Sequence, residues 1–298
     1  MDFDARLANC QSIVDIALRR PRRAAAADCA SCAPDCLAVA TEYALDGGKR
    51  LRPYVVFAVA ELLRRDPLDF IEAACSVECI HTSSLILDDL PCMDNSDTRR
   101  GKPSLHSEFG EAMAILTAVS LLSRGFEHLA KNAADLGLSS KATGRALKCL
   151  AHKVGENGMA SGQMAELLSG APTDLRSMEL VNDRKTGLLF VASAEIPAIL
   201  AGATEADIEA VGRYAHELGQ AYQITDDILD LPTKKAASDH PDSGPKHEKR
   251  TIATLLGPEK AAQKAHAHID AALDVIKTYG APAEALRLLC DYVLGRVK

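Results

Sequence analysis

Two stretches of the chain run an apolar segment into a cluster of aspartates. In SSLILDDLPCMDNSD, residues Asp88, Asp89, Asp94 and Asp97 fall within ten positions, and in YQITDDILD, Asp226, Asp227 and Asp230 fall within five. Asp226 and Asp230 are four residues apart, about 40° around a helix, so both face one point, and Asp227 widens the patch. Like charges so placed repel, and apolar neighbours on both sides keep the patch from simply immersing itself in water. Divalent cations would relieve that repulsion. Asp88 and Asp94 are different: on an unbroken helix they would lie about 240° apart, and Pro91 disfavours such a helix. Asp88 and Asp89 are therefore expected at a helix end, with Asp94 brought round by an irregular turn. Either cluster alone also fits a solvated helix end; two of them, each behind a long apolar segment, favour metal chemistry.

Aspartate oxygens suit hard Mg²⁺, which keeps waters and is often completed by substrate phosphates. Cations for such phosphates follow a glycine pair, as Lys49, Arg50 and Arg52, and recur as Arg99, Arg100 and Lys102. Neither run has the spacing or the terminal Ser or Thr of a Walker loop. Carboxylates and basic groups at one pocket imply a negatively charged substrate bridged through metal. The aliphatic helices around them suggest that the rest of it is hydrocarbon.

The elements that must position these groups read as helices almost throughout. Helical spacing of apolar residues covers Phe3–Arg20, Asp35–Asp46, the stretch from GGKRLRP through Leu62, and Leu68–Leu87. It resumes over Glu111–Leu136, Lys141–Leu168, Ser177–Leu200 and Glu205–Asp230. The last candidates are Lys249–Thr254 leading into Glu259–Tyr279, and Pro282–Arg296. The Leu68–Leu87 segment is apolar around most of its circumference, the mark of a helix near the centre of a bundle. No alternating strand pattern of convincing length occurs, so the chain is expected to be one all-α domain over residues 1–298. PTKKAASDHPDSGPKHEKR, Pro232–Arg250, reads as a loop beside the second acidic helix, with an ordinary exposed linker as the alternative.

Composition excludes several classes. With 47% hydrophobic but only 4% aromatic residues, no Trp and a formal charge of −7, the chain lacks stacking platforms and net attraction for nucleic acid. No 18-residue apolar run suggests a membrane span, and the acidic start is a poor targeting signal. Nine cysteines, an odd number, suit free thiols in a reducing cytoplasm. Cys29, Cys32 and Cys36 have metal-like spacing, but no second pair completes a zinc site.

Six motifs in order give the chain a resemblance to trans-isoprenyl diphosphate synthases, most of all geranylgeranyl diphosphate synthases. They are GGKRLRP (Gly47–Pro53), ECIHTSSLILDDLPCMD (Glu78–Asp94), RRGKP (Arg99–Pro103), GMASGQ (Gly158–Gln163), KTG (Lys185–Gly187) and YQITDDILD (Tyr222–Asp230). The resemblance implies the isoprenoid synthase fold: ten or more helices around a central hydrophobic cavity, usually as a homodimer. It implies that Asp88, Asp94 and Asp226 reach Mg²⁺ ions on an allylic diphosphate, supported by Asp89, Asp227 and Asp230. Arg99, Lys185, Thr186 and Gln223 match positions that hold the allylic substrate. Lys49, Arg52, His81 and Arg100 match those that hold isopentenyl diphosphate; a satisfied core histidine is the plainer alternative for His81. Of the three neighbouring cations, Arg50 is the one expected to point elsewhere, as a surface charge or an ion pair.

The activity so implied is prenyl transfer, lengthening an all-trans chain by five carbons per cycle. Ser83 and Ser84, five and four positions before the first motif, match residues that help form the floor of the product tunnel. Their small size points to a C20 product, with C15 farnesyl diphosphate or a longer chain as alternatives and Phe109 or Leu116 as rival floors. Departures from the family pattern include Ser96 and Thr98, Glu166 where Asp is common, and ASDHPD where relatives often carry LGK after the second motif. Lys249 fits a later family lysine, whereas neither Lys235 nor Lys246 aligns with the missing one. A terpene synthase without a second substrate, or a regulatory subunit suggested by CAPDC and CSVEC, are the competing functions.

Overall fold

The computed structural model of the protein describes residues 2–19, 34–168, 174–231 and 251–297. The expected 232–250 loop, with Lys235, Lys246 and Lys249, and Cys29 and Cys32 lie outside them. The described helices are α1 Phe3–Leu18, α2 Pro34–Leu45, α3 Leu51–Leu62, α4 Ile71–Asp88, α5 Leu105–Phe109, α6 Glu111–Asp135 and α7 Ser140–Val154. They continue as α8 Met159–Leu168, α9 Leu175–Asn182, α10 Leu188–Leu200, α11 Glu205–Leu229, α12 Ile252–Leu256, α13 Pro258–Ile276 and α14 Glu284–Gly295. The expected all-α class is what the chain adopts. One small exception is an antiparallel ribbon of β1 Thr98–Arg99 and β2 Lys102–Pro103, too short to show in any alternating pattern. The chain packs as two compact units, Met1–Lys148 with Ile196–Gly202, and Cys149–Glu195 with Ala203–Lys298.

In the first unit α4 is the central element. Asp66 caps the preceding 3₁₀ turn, Pro67–Phe70, by accepting the Leu68 N–H at 2.9 Å. The Ala73 N–H of the first α4 turn donates to Asn132 Oδ1 on α6 at 2.8 Å, and Asn132 Nδ2 donates to the Asp69 carbonyl at 2.7 Å. A buried amide on one helix thus satisfies the open end of its neighbour. Pro67–Asp88 is long and apolar enough to span a membrane by length and composition, but 67% of that window is buried inside the protein, which makes it a core helix.

Close approach of α4 to α6 depends on small residues. Ser76 Oγ donates to the Gly125 carbonyl at 2.7 Å and Ser83 Oγ to the Ala118 carbonyl at 2.8 Å. The two donors are seven residues apart and so are the two acceptors, in opposite order, as antiparallel helices require. Ile80, between the two donors, faces Gly125, and its Cδ1 would lie only 2.6 Å from a β-carbon built there. Gly125→Ala should force Ile80 out of place and destabilise the protein by about 1–3 kcal/mol. A lowered urea midpoint would register this, with part of the loss restored by Ile80→Val in the same chain.

In the second unit α11 packs along α13, which buries Ala261, Ala265, Ile269, Ala272 and Ile276. Met178, Ile224 and Ile252 join Ala261 and Ala265 in a core cluster beneath the acidic end of α11. Two expected helices are broken. Lys141–Leu168 is interrupted after Val154, because the chain folds Gly158 against the Lys153 carbonyl, where a β-carbon would sit 2.0 Å from the oxygen. Ser177–Leu200 is not uniformly α-helical either: Asp183–Gly187 forms a π-helical turn between α9 and α10.

Candidate active site

The first acidic motif begins where α4 ends. Asp89 is the C-cap, its N–H on the Leu85 carbonyl, and the chain then turns through Pro91 until the Asp94 N–H donates to the Asp88 carbonyl at 2.8 Å. That bond brings Asp94 back beside Asp88, as the sequence spacing demanded. Ser96 closes the same turn by donating its N–H to the Asp89 carbonyl at 3.1 Å. Along the last two turns of α4, His81, Ser84, Leu85 and Asp88 share one partly open face, while Ser83 turns toward α6.

Arg99 holds Asp89. Its Nε lies 3.0 Å from Oδ2, and its Nη2 contacts Oδ1, so the buried carboxylate is gripped from two guanidinium nitrogens. The hydrogen bonds that Arg99 donates to Asp89, reinforced by the charges of Asp89, Asp88 and Asp94, raise the Arg99 pKa. Arg99 is delivered by the ribbon, whose connecting residues Arg100 and Gly101 both have positive φ, the requirement of a tight two-residue hairpin turn. Arg100 folds back onto the glycine pair before α3, with Nη1 3.2 Å from the Gly47 carbonyl. Gly48 has φ +102°, and a β-carbon there would come within 2.9 Å of the Arg100 guanidinium. The glycine pair therefore supplies both a left-handed backbone and room for a cation.

Of the cations around α3, Lys49 is exposed and Arg52 Nη1 lies 3.2 Å from His81 Nε2. Burial, reinforced by Arg52, Arg100, Arg50 and Arg99, pushes the His81 pKa well below its ordinary value, so His81 is neutral at pH 7. Arg50 is an ion pair, as one of its expected roles allowed, but a buried one. Its side chain is 1% exposed, with Nη1 2.5 Å from Glu78 Oε1 and Nη2 2.8 Å from Asp15 Oδ1. Glu78 opens the ECIHTSSLILDDLPCMD motif, but no spacing in the sequence announces it as the partner of Arg50. Glu78→Gln leaves Arg50 with only the partly exposed Asp15 carboxylate to balance its charge, and should destabilise the protein by less than the about 3–5 kcal/mol of a fully stranded charge, measurable by chemical denaturation.

The remaining predicted residues gather in the second unit. The π turn carries Lys185 and Thr186 and is wedged between helices by glycines. A β-carbon on Gly162 of α8 would fall 2.4 Å from the Lys185 nitrogen, and one on Gly219 of α11 would fall 3.1 Å from Gly187 Cα. Lys185 Nζ pairs with Glu166 Oε2 at 2.5 Å, so the glutamate's longer arm reaches the lysine. Thr186 Oγ1 donates to Gln223 Oε1 at 3.0 Å, and Gln223 Nε2 donates to Asp227 Oδ1 at 3.0 Å. This chain of contacts ties the KTG turn to the acidic end of α11. Asp227 is buried, whereas Asp230 is exposed at the C-cap of α11. Asp226 is engaged by Arg296 from beyond α14, a partner that no spacing in the sequence announces.

Among the described residues, no three of His, Cys, Asp and Glu converge so as to hold a metal ion by themselves. The donor set is instead hard carboxylates in pairs, flanked by arginines. It fits a cation completed by water and substrate oxygens rather than a protein-only cage.

This helical fold with its two aspartate motifs defines a class, and comparison with known proteins identifies it. The chain belongs to the polyprenyl synthetase family, which it matches over residues 34–284. It is 46% identical over 190 residues to geranylgeranyl pyrophosphate synthase 4 of Arabidopsis thaliana, an alignment covering 62% of this chain and 50% of that one. The chain thus spans about half the length of the plant relatives it matches. It is 38% identical over 266 residues to the farnesyl diphosphate synthase of Bacillus subtilis, covering 88% of this chain and 90% of that one. The crystal structure of an FPP/GFPP synthase from Zymomonas mobilis superposes with a TM-score of 0.84 at 31% identity over 98% of both chains. The fold is accordingly that of the isoprenoid synthases.

Proposed function

We propose that the chain is a Mg²⁺-dependent trans-prenyltransferase that condenses isopentenyl diphosphate with allylic diphosphates and releases geranylgeranyl diphosphate. The observation that carries this reading is the turn that returns Asp94 to Asp88 at the foot of a helix whose open face runs up through Ser84 to His81. When bound, Mg²⁺ supplies charge neutralisation for the departing diphosphate. Asp88, Asp94 and Asp226 would hold it, with Asp89, Asp227 and Asp230 in support. Lys185, Thr186, Gln223 and Arg99 bind the allylic diphosphate and stabilise it as its carbon–oxygen bond breaks. Lys49, Arg52, Arg100 and neutral His81 orient isopentenyl diphosphate so that its alkene attacks carbon one of the allylic cation. The proton lost in restoring the alkene goes to the departing diphosphate, and no side-chain nucleophile is required. Exclusion of water protects the cation from capture as an alcohol.

The relatives named above carry both C20 and C15 products in their names, so product length rests on the helix face. Ser84 lies one turn from Asp88 on the partly open face, its Oγ donating to the His81 carbonyl at 2.8 Å, and its small side chain would leave room that a larger residue there would fill. Ser83 contributes from the α6 side. Purified full-length chain with Mg²⁺, isopentenyl diphosphate and dimethylallyl, geranyl or farnesyl diphosphate should give a C20 product by chromatography. Ser84→Phe should shorten it to C15, and unchanged C20 output would refute that floor. Inactivity with all three allylic substrates, rescued by a partner subunit, would establish the regulatory alternative instead.

A homodimer in a reducing cytoplasm completes the reading. Ile115, Leu116 and Val119 form an exposed apolar stripe on α6, of the kind a second copy would cover. The seven described cysteines are all free thiols. Light scattering should return twice the chain mass, and Val119→Glu should shift it toward the monomer.

A further inference from the structure

Arg296 follows the last residue of α14 and reaches back to one turn of α11. Its Nη2 pairs with Asp226 Oδ1, its Nη1 donates to Thr225 Oγ1 at 3.2 Å, and its guanidinium carbon sits 4.5 Å from the centre of the Tyr222 ring. Positions 222, 225 and 226 share a helix face, so three different contacts converge on one cation. The side chain is only 9% exposed. Burial by itself would lower the Arg296 pKa, but the hydrogen bond and charge of Asp226 outweigh it and the group stays charged. A stacked, bonded and largely desolvated arginine is a built contact rather than a surface pair.

Asp226, Asp227 and Asp230 place three carboxylates within five residues of one helix end. We infer that Arg296 is the resident counter-ion of this motif in the unloaded protein, and that a divalent cation must displace it from Asp226 to bind. The inference rests on the reading of Asp226 as a metal ligand. A binding-competent form that is only fractionally populated weakens apparent affinity by that fraction. Removing the arginine should therefore tighten metal binding even though it removes contacts from the fold.

The test is a Mn²⁺ titration of the full chain without substrate, with free Mn²⁺ read by electron paramagnetic resonance. The proteins are wild type, Arg296→Gln, Asp226→Asn and the double variant, each checked for folding by circular dichroism. Arg296→Gln should bind Mn²⁺ on the order of tenfold more tightly, and that gain should vanish when Asp226 is already Asn. A gain that persists in the double variant would mean that Arg296 acts only through its general positive field, and unchanged or weaker binding in Arg296→Gln would remove the counter-ion role. If Asp226→Asn binds Mn²⁺ as wild type does, the metal reading of the second motif itself fails. Should Arg296→Gln not fold, Arg296→Lys keeps the charge but loses the stacked fork. A smaller tightening than tenfold is then expected, and none at all would overturn the inference.

Discussion

Close contact between α4 and α6 is the constraint on which the first half of the site depends. Helices with large side chains at the contact stand about 8–10 Å apart at the upper end of that range. The Ser76 and Ser83 hydroxyls instead reach the α6 backbone itself, and Gly125 leaves no side chain between. Both hydroxyls take α6 carbonyls that already accept within the helix, so they add a second bond without leaving a donor unmet. Because the register is fixed at two points one heptad apart, α4 can neither slide nor rotate. Its opposite face, with His81, Ser84 and Asp88, is thereby aimed by groups that have no chemistry of their own.

Charge is handled by a comparable device at three places. Arg50 is buried against Glu78 and Asp15, Arg99 grips Asp89, and Arg296 engages Asp226. In each case a guanidinium serves where a lysine would not, since its planar fork can satisfy two acceptors at once and resists deprotonation on burial. The three pairs differ in consequence. Arg50 is almost fully buried, its guanidinium taken up by Glu78 and Asp15, and is structural. Arg99 takes up the buried Asp89, while Asp88 stays half-buried and Asp94 exposed. Arg296 sits on the acid that heads the second motif.

The helices were legible because apolar periodicity survives wherever one face is buried, and the boundaries of α3, α6 and α11 follow it closely. The return of Asp94 to Asp88 was also legible, since Pro91 and a six-residue gap leave few ways to gather the acids. What spacing could not reveal were local departures set by neighbours. The π turn at Asp183–Gly187 keeps helical periodicity nearly intact, and the close packing around it is admitted by distant glycines at 162 and 219. At the break before Gly158 the backbone approaches Lys153 so closely that only glycine fits, and the Thr98–Pro103 ribbon is too short to alternate. Long-range partners such as Glu78 for Arg50 and Arg296 for Asp226 leave no trace in spacing, because the residues are brought together only by the fold.

The two serines before the first motif show why adjacency in sequence is a poor guide to role. They are both small and neighbouring, yet consecutive helical residues lie about 100° apart, and this is enough to give them different partners. Ser83 is buried and bonded to α6, so enlarging it would first strain the contact that orients the helix. Ser84 bonds within its own helix and lies half-buried on the face shared with Asp88, with no bond to α6 to be strained. A bulky residue at 83 should therefore act on stability first, whereas the proposed effect of one at 84 on product length would leave the α4–α6 register intact. The two positions separate because one face of the helix packs against α6 while the next stays partly open.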